Sequence, residues 1–298
     1  MKEILKKAFT LIELLVVIAI IGILSGLIVV TMNGVTQKAN IAKSQVFSNS
    51  LRNALMLNLV SEWKFDGTTS ADSSATDSDV LDLWGGNNGS VGSHQPTVKT
   101  GTSCIRGSCL FFNGTSGYVS VADSNTLDMG TSDLSIEFWI KTSQASVGGI
   151  LYKAYQPGYS IIMGDVGAGR LKLELGDSVG YSTVASSGAI NNNEWRHVVV
   201  AIDRDTSTRW YIDGISETPS TSTNSRTGTL ANASALTLGA YGAAYFSGLI
   251  DDIRIYNAAV PVSLIKENYY SGLNNLFLKG EVTKEEYLSR IKEYASID

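Results

Sequence analysis

The chain has 298 residues, of which 44% are apolar and 17% are charged, so it can hold one domain with a single core and additional segments. The net charge is −5. An acidic balance argues against strong binding to nucleic acid, whose phosphates attract basic proteins. Gly, Ser, Thr and Asn are plentiful after the first sixty residues, which suits an extracellular β-rich domain.

The first feature in chain order is an apolar run over residues 9–30, behind the basic leader MKEILKKA. As a helix this run would extend about 33 Å, enough to cross the hydrocarbon core of a bilayer. Glu13 interrupts it, and an unpaired carboxylate in lipid costs about 2.5 to 3.5 kcal/mol. Lys6 and Lys7 lie nearly two helical turns away, so another group must neutralise Glu13.

The run KKAFTLIELLVVIAIIGIL resembles the class III leader of type IV prepilins and pseudopilins. The basic leader, the Phe at the cut, the Glu four residues on and the apolar run all occur together. The resemblance implies that a prepilin peptidase cleaves between Ala8 and Phe9 and that the new amine is methylated. It also implies that Glu13 pairs with the Phe9 amine of a neighbouring subunit. Ala8 departs from the family pattern, which usually has Gly there.

Simpler interpretations use the same run. A secretory signal peptide has an apolar core of roughly 7 to 15 residues and an A-x-A cleavage site, whereas residues 14–30 are longer and no such site follows. A signal anchor explains the length but gives no reason for Glu13. A further alternative pairs Glu13 with its own Phe9 amine, because residues four apart are neighbours on a helix.

Residues 31–60 continue the helical pattern, with Ile41, Leu51, Leu55 and Leu59 near a period of 3.6. The sequence therefore predicts a leader over residues 1–8 and a long helix over residues 9–60. This helix would lie first in the membrane and then in a filament core.

From residue 62 the period changes to alternation. About a dozen short segments, each bounded by Gly, Ser, Asn or Asp, follow over roughly 200 residues without intervening helices. They predict an antiparallel β-sandwich over residues 62–260. A short helical hairpin is predicted over residues 261–298, since Pro261 suits a first turn, Gly280 suits a helix end, and Thr283 and Glu286 have capping-box spacing. The predicted fold class is α+β.

Several segments in order resemble a laminin G-like, concanavalin A-like jelly roll: WKFDG, DLWGGNNGSV, FNGTSGYVSVADSNTLD, LSIEFWIKT, EWRHVVVAID, WYIDG, LTLGAY and FSGLIDDIRIYNAAV. The resemblance implies a module that binds glycan or protein, often with one structural calcium ion (Ca2+). It implies Asp82, Asn88 and Asp251 as the calcium ligands, with Asp72 as an alternative for the first.

Alternation along LIDDIRIY places Asp251 on the same face as Ile253. A carboxylate that faces inward needs a cation or several hydrogen-bond donors. The alternative to calcium is a hydrogen-bonded Asp at a sheet end, with the Asn in a turn.

Cys104 and Cys109 are separated by four residues in CIRGSC. In a reducing compartment they would be thiols or half of a metal site, whereas an exported domain permits a disulfide. We expect the disulfide, fixing a hairpin near an exposed edge.

A glycosidase on this fold needs paired carboxylates, typically in an E-x-D-x-E strand, and the sequence has no such string. The segments ELGD and DDIR hold the nearest pairs. His94 and His197 lack Cys or Ser partners at a recognisable spacing. We therefore expect a binding protein and not an enzyme.

Aromatic side chains in loops are candidates for contact with sugars, because a flat apolar ring matches the C–H face of a pyranose. Binding and simple loop anchoring are both open for five tyrosines: Tyr152, Tyr155, Tyr159, Tyr241 and Tyr245. Core packing is expected for four tryptophans in predicted strands: Trp63, Trp139, Trp195 and Trp210.

Together these patterns predict a minor or tip subunit of a type IV pilus that displays a glycan- or protein-binding domain for adhesion. Its partners would be other pilin subunits, the prepilin peptidase, the inner-membrane assembly machinery, the membrane before assembly and a surface ligand, with no nucleic acid. It would lie in the cytoplasmic membrane with the leader inside, and then on the cell surface. A type II secretion pseudopilin is the alternative, and a membrane-anchored carbohydrate-active enzyme is less favoured.

Overall fold

The computed structural model describes residues 15, 16, 18, 57–217, 223 and 225–295. The predicted cleavage site at Ala8 and Phe9 lies outside the described residues, as does Glu13. Within the described part of the chain, no helix combines the length and the apolar character needed to span a bilayer.

The described strands and helices follow one another in chain order. They are β1 (Leu59–Trp63), β2 (Gly89–Ser90), β3 (Thr97–Thr100), β4 (Ser108–Asn113), β5 (Val119–Val121), β6 (Leu134–Lys141), β7 (Gly148–Lys153), β8 (Gly158–Met163), β9 (Arg170–Gly176), β10 (Tyr181–Ala189), β11 (Trp195–Ile202), β12 (Thr208–Ile212), β13 (Ile215–Ser216), β14 (Leu236–Leu238), β15 (Ala240–Tyr241), β16 (Ala244–Tyr245), β17 (Ser247–Tyr256), α1 (Val262–Leu278) and α2 (Lys284–Ala295).

These strands form two antiparallel sheets that share one core. The eight-stranded sheet has the order β13–β12–β11–β6–β17–β4–β3, with β1 also paired to β17. The seven-stranded sheet has the order β10–β9–β8–β7–β14–β5–β2. Strands β15 and β16 form a separate hairpin. The predicted antiparallel sandwich is confirmed.

Alternate side chains of the two sheets fill the core. In β6 the core residues are Leu134, Ile136, Phe138 and Ile140, and in β9 they include Leu171 and Leu173. Burying each such side chain contributes about 1.5–3 kcal/mol. The residues between them point to the opposite side of each sheet, and these outward positions carry the features described below.

The start of the sandwich differs from the sequence prediction. The helical pattern extends to residue 60, but β1 begins at Leu59. Leu59 is 5% exposed and pairs with Tyr256 of β17. Pairing with the sheet overrides the local helical pattern at these last residues.

The predicted C-terminal helical pair is confirmed, and α1 packs on the outer face of the eight-stranded sheet. Gly272 permits close contact, because a Cβ there would lie 2.2 Å from Trp139 Cζ2. Gly280, with a φ of 76°, follows the end of α1. At the start of α2, the Glu286 N–H donates to Thr283 Oγ1 at 3.1 Å, as the capping signal predicts.

The predicted Cys104–Cys109 disulfide is present. Both cysteines are fully buried and share a cluster with Trp139, Trp195 and side chains of α1. The bridge therefore lies in the packed layer between sheet and helices and not at an exposed edge.

A buried carboxylate joins this layer. Glu137 of β6 is 1% exposed, and its Oε1 faces His197 Nε2 at 2.9 Å and accepts from Arg254 Nη1 at 3.2 Å. Its Oε2 accepts from Tyr256 Oη and from Asn268 Nδ2, both at 3.0 Å. Burial alone would raise the pKa of Glu137, but Arg254, His197 and Tyr256 outweigh it and lower the pKa to about 2.

We expect Glu137→Gln to destabilise the full chain by about 3–5 kcal/mol at pH 7, because it breaks a buried charge pair. In the unaltered protein, the contribution from the lowered pKa is fully present above pH 4.5 and is lost as the pH falls through about 2. That contribution is on the order of 3 kcal/mol. Urea unfolding followed by circular dichroism between pH 7 and pH 2 measures both effects.

The exposed Glu285→Gln variant of α2 is the matched control and should keep the stability and pH dependence of the unaltered protein. Equal pH slopes for Glu137→Gln and Glu285→Gln would contradict the role assigned to Glu137.

Candidate functional site

The outer surface of the seven-stranded sheet is polar at its centre and aromatic around it. In β9 the leucines of RLKLELG face the core, so Lys172 and Glu174 point outward. Ser160 of β8 lies beside them and donates from Oγ to Glu174 Oε2 at 2.9 Å. We call this surface the tyrosine face and define it by Tyr152, Tyr155, Ser160, Asp165, Lys172, Glu174, Tyr181 and Tyr241.

Two carboxylates hold Lys172 at the centre of the face. Lys172 Nζ donates to Glu174 Oε1 at 2.6 Å and to Asp165. Lys172 is 8% exposed and Glu174 is 4% exposed. Burial alone would lower the pKa of Lys172, but the hydrogen bonds to Asp165 and Glu174 outweigh it and raise the pKa. Lys172 is therefore charged at neutral pH.

Two tyrosine pairs flank this centre. Tyr152 and Tyr241 meet edge to face, with ring centroids 5.0 Å apart, and the Tyr155 and Tyr181 centroids are 4.8 Å apart. The hydrogen bond to Tyr181 raises the pKa of Tyr155. Burial, followed by the charge of Glu174, raises the pKa of Tyr241. These two phenols are therefore neutral at physiological pH, and Tyr155 and Tyr181 are 37% and 52% exposed.

Gly149 of β7 allows the β15–β16 hairpin to bring Tyr241 to this face. A Cβ at Gly149 would lie 2.2 Å from the carbonyl carbon of Ala240. Any other residue would push the hairpin away from β7, so the position of Tyr241 depends on this glycine.

The structure separates the candidate aromatic residues. Tyr159 is fully buried and donates from Oη to the Leu127 carbonyl at 3.0 Å, so it is a structural anchor. Tyr245 is half-buried in β16. The four strand tryptophans are at most 3% exposed, as predicted for core packing: Trp63, Trp139, Trp195 and Trp210.

Asp82 and Asn88 lie together in the turn before β2. Asp82 Oδ1 accepts the N–H groups of Glu62 and Trp84 at 2.9 Å and that of Gly85 at 3.1 Å. Asn88 Oδ1 accepts the Asp82 N–H at 3.0 Å. Both side chains therefore hold the backbone of one turn.

Asp251 lies on the opposite face of β17 from the one that alternation predicts. Asp252 has a φ of 49°, and the register of β17 against β6 shifts between Asp251 and Arg254. This bulge adds a residue, so Ile253 faces the core while Asp251 turns away from it. Asp251 Oδ2 accepts the Ile105 N–H at 2.8 Å. The prediction that Asp251 shares a face with Ile253 is wrong.

The three predicted calcium ligands do not form one ligand set in this structure. Asp82 and Asn88 share a turn, whereas Asp251 binds the CIRGSC loop. Burial and then the neighbouring Asp252 raise the pKa of Asp251 well above its ordinary value. Across the described ranges, no group of three or more His, Cys, Asp or Glu side chains is arranged to hold a metal ion. The contacts match the hydrogen-bonded alternative at each position, and calcium binding stays a prediction.

Both histidines make structural contacts. His94 stacks on Tyr118, with ring centroids 5.4 Å apart. His197 is fully buried against Glu137. In the ELGD segment, Glu174 is engaged by Lys172. These contacts hold His94, His197 and Glu174 in fixed positions.

Lys172 and Trp84 become candidate functional residues only in the folded structure. The signal for Lys172 is the strict alternation in RLKLELG, which puts Lys and Glu on the face opposite three leucines. For Trp84, the sequence feature that could predict exposure is its position before Gly85 and Gly86. An aromatic side chain in a glycine-rich turn has no neighbouring strand to cover it.

Two family models match the chain. Residues 113–266, just over half of the chain, match the concanavalin A-like lectin/glucanases superfamily. Residues 5–29 match the prokaryotic N-terminal methylation motif. Both resemblances predicted from the sequence are confirmed. No curated protein matches the chain.

Solved structures with a similar fold include toxin binding domains. The binding domain of paraclostridial mosquitocidal protein 1 is 19% identical, with 74% of this chain and 53% of that chain covered and a TM-score of 0.58. The binding domain of botulinum neurotoxin DC, in complex with rat synaptotagmin II, is 17% identical, with 73% and 52% covered and a TM-score of 0.55. This chain therefore spans about half the length of these domains.

A third similar structure is domain 4 of AbnA, a GH43 extracellular arabinanase from Geobacillus stearothermophilus, in complex with arabinotriose. It is 21% identical, with 70% of this chain and 97% of that chain covered and a TM-score of 0.54. At these identities the likeness shows the fold.

The calcium prediction is tested by the melting temperature of the full chain. A bound ion stabilises the native state by RT ln(1 + [L]/Kd), so the prediction expects a lower melting temperature with a chelator than with millimolar calcium. Magnesium at the same concentration is the control. Equal melting temperatures in all three solutions would refute the calcium prediction.

Proposed function

The chain belongs to the concanavalin A-like lectin/glucanases superfamily, and we propose that it is a pilin-like subunit that presents a carbohydrate-binding sandwich at the cell surface. The methylation motif at residues 5–29 supports assembly with other pilin subunits. The lectin-like domain behind it supports a binding role. The proposed setting is a type IV pilus, with the sandwich acting in adhesion.

The tyrosine face carries the carbohydrate part of the proposal. Its exposed rings, Tyr155 and Tyr181, offer flat apolar surfaces that match the C–H faces of sugar rings. The Lys172–Glu174 pair on the same face offers charged hydrogen-bonding groups. The carboxylates of Glu174 and Asp165 outnumber the single ammonium of Lys172, which favours neutral sugars over sugar acids.

The N-terminal segment carries the assembly part. In the proposal, the peptidase removes residues 1–8, and the apolar run holds the chain in the membrane until the assembly machinery extracts it. Glu13 then pairs with the Phe9 amine of a neighbouring subunit, which replaces a costly unpaired charge with an ion pair. This pairing sets the axial register of the subunits.

We expect Tyr155→Ala combined with Tyr181→Ala to weaken glycan binding at least about tenfold, which corresponds to about 1.4 kcal/mol of lost stacking. The measurement is retention of the full chain in detergent on an array of neutral and acidic glycans that includes arabinotriose. Tyr118→Ala is the control, because Tyr118 stacks on His94 outside the face. Unchanged retention of the double variant, with the protein folded, would refute the site.

We expect Glu13→Ala to leave the precursor in the membrane but to reduce its incorporation into filaments. Glu3→Ala is the matched control, since Glu3 lies in the leader that the proposal removes. The filament fraction is measured in sheared material by immunoblot, and mass spectrometry of the same material should find a methylated Phe9. Normal incorporation of Glu13→Ala, or a filament subunit that keeps MKEILKKA, would overturn the assembly part.

A further inference from the structure

We propose that the turn around Trp84 is a second carbohydrate-binding site, which does not depend on the tyrosine face. The protein has five tryptophans, all within the described ranges. Four are at most 3% exposed, whereas Trp84 is 50% exposed. Leaving half of an indole in water forgoes much of the roughly 1.5–3 kcal/mol that burial of a large apolar side chain provides. A ligand that covers the ring would recover it.

Trp84 lines an open cavity whose size and chemistry suit a sugar. Its volume is about 380 Å³, within the range of about 300–1,000 Å³ typical of small-molecule sites. Three apolar residues also line it, together with five polar ones: Asn125, Thr126, Asp128, Ser132 and Asn257. One flat aromatic surface among amides, hydroxyls and a carboxylate matches a sugar ring, which has an apolar face and a rim of hydroxyl groups. An apolar peptide segment would remove water from these polar groups without offering them hydrogen bonds.

The turn is held rigidly in position. Besides the three N–H groups on its Oδ1 atom, Asp82 accepts the Asn87 N–H on Oδ2 at 2.9 Å. Asn87 Nδ2 in turn donates to Ser61 Oγ at 2.8 Å and to Thr126 Oγ1 at 2.9 Å. Thr126 also lines the cavity, so this network connects the turn to the cavity wall. Rigidity before binding reduces the entropy lost when a ligand docks.

Glycine is required where the turn meets β1. A Cβ at Gly85 would lie 2.0 Å from the Val60 carbonyl oxygen. Gly85 therefore lets the backbone pass directly over β1, and this close contact places the neighbouring indole at the cavity.

The charge in the lining favours a neutral ligand. Asp128 accepts the Asn232 N–H at 3.2 Å and lies 3.4 Å from Lys153 Nζ. Lys153 is fully buried and also bonded to Asp123 at 2.7 Å. The Lys153 ammonium thus already pairs with the carboxylates of Asp123 and Asp128. The carboxylate of Asp128 would repel a sugar acid. We expect a neutral oligosaccharide.

Fluorine NMR of the full chain in detergent, labelled with 5-fluorotryptophan, tests the proposal. The Trp84 signal is identified by its loss in Trp84→Phe. Arabinotriose, maltotriose and chitotriose are added separately at millimolar concentrations. At least one should shift the Trp84 signal while the four buried tryptophans stay unchanged, and the shift should persist in the Tyr155→Ala, Tyr181→Ala double variant. Trp84→Ala should weaken that sugar at least tenfold by calorimetry.

Leu83→Ala is the matched control, because Leu83 is 55% exposed next to Trp84 but does not line the cavity. It should bind as the unaltered protein does. A Trp84 signal that no sugar moves would overturn the proposal, as would a shift that disappears in the tyrosine-face double variant. A Trp84 signal that shifts with protein concentration but not with sugar would show that the turn contacts another copy of the chain, and it would also overturn the proposal. Glycan binding lost only in the tyrosine-face variant would leave the proposed function standing and this site refuted.

Discussion

The carboxylate of Glu137 sets the arrangement of the domain, because a charge buried without water must be surrounded by donors. Its partners in β11, β17 and α1 lie 60 to 131 residues away from it in the chain. The placement of α1 on the sheet brings Asn268 within reach of Glu137 while Arg254 and His197 keep their contacts. The helices then cover the outer face of the eight-stranded sheet. Among the described residues, the other sheet and the turns therefore offer the open surfaces for a ligand.

The same constraint acts on a smaller scale at Asp82. Glu137 is matched by side chains from distant elements, so it joins layers, whereas Asp82 is matched mainly by backbone N–H groups of its own turn, so it stiffens that turn. On the tyrosine face the buried charge is that of Lys172. Its ammonium lies between the carboxylates of Glu174 and Asp165 and therefore stays charged. In each case a buried charge determines where a functional surface can form.

Much of this could be predicted from the sequence where the signal is local. Alternation in segments such as RLKLELG locates strands, and Pro261 and Gly280 mark the ends of α1, because these preferences act within a few residues. The face of Asp251 could not be predicted, since the bulge at Asp252 depends on pairing with β6, a strand more than a hundred residues earlier. Tyr159 and Tyr155 likewise look alike in sequence, and only the sheet shows that one is buried and the other exposed.

The two proposed binding surfaces would suit the filament subunit that we propose. Exposed tyrosines and a half-exposed indole offer modest contact areas, so each site alone would bind a sugar weakly. Copies repeated along a filament, or two sites on one sandwich, turn a second binding event into an intramolecular one, and the combined affinity can exceed either site by about 10²–10⁴. A rigid framework around each site matters more in such a protein than a deep pocket. Every copy must then present its aromatic rings in the same geometry, and the buried carboxylates provide that uniformity.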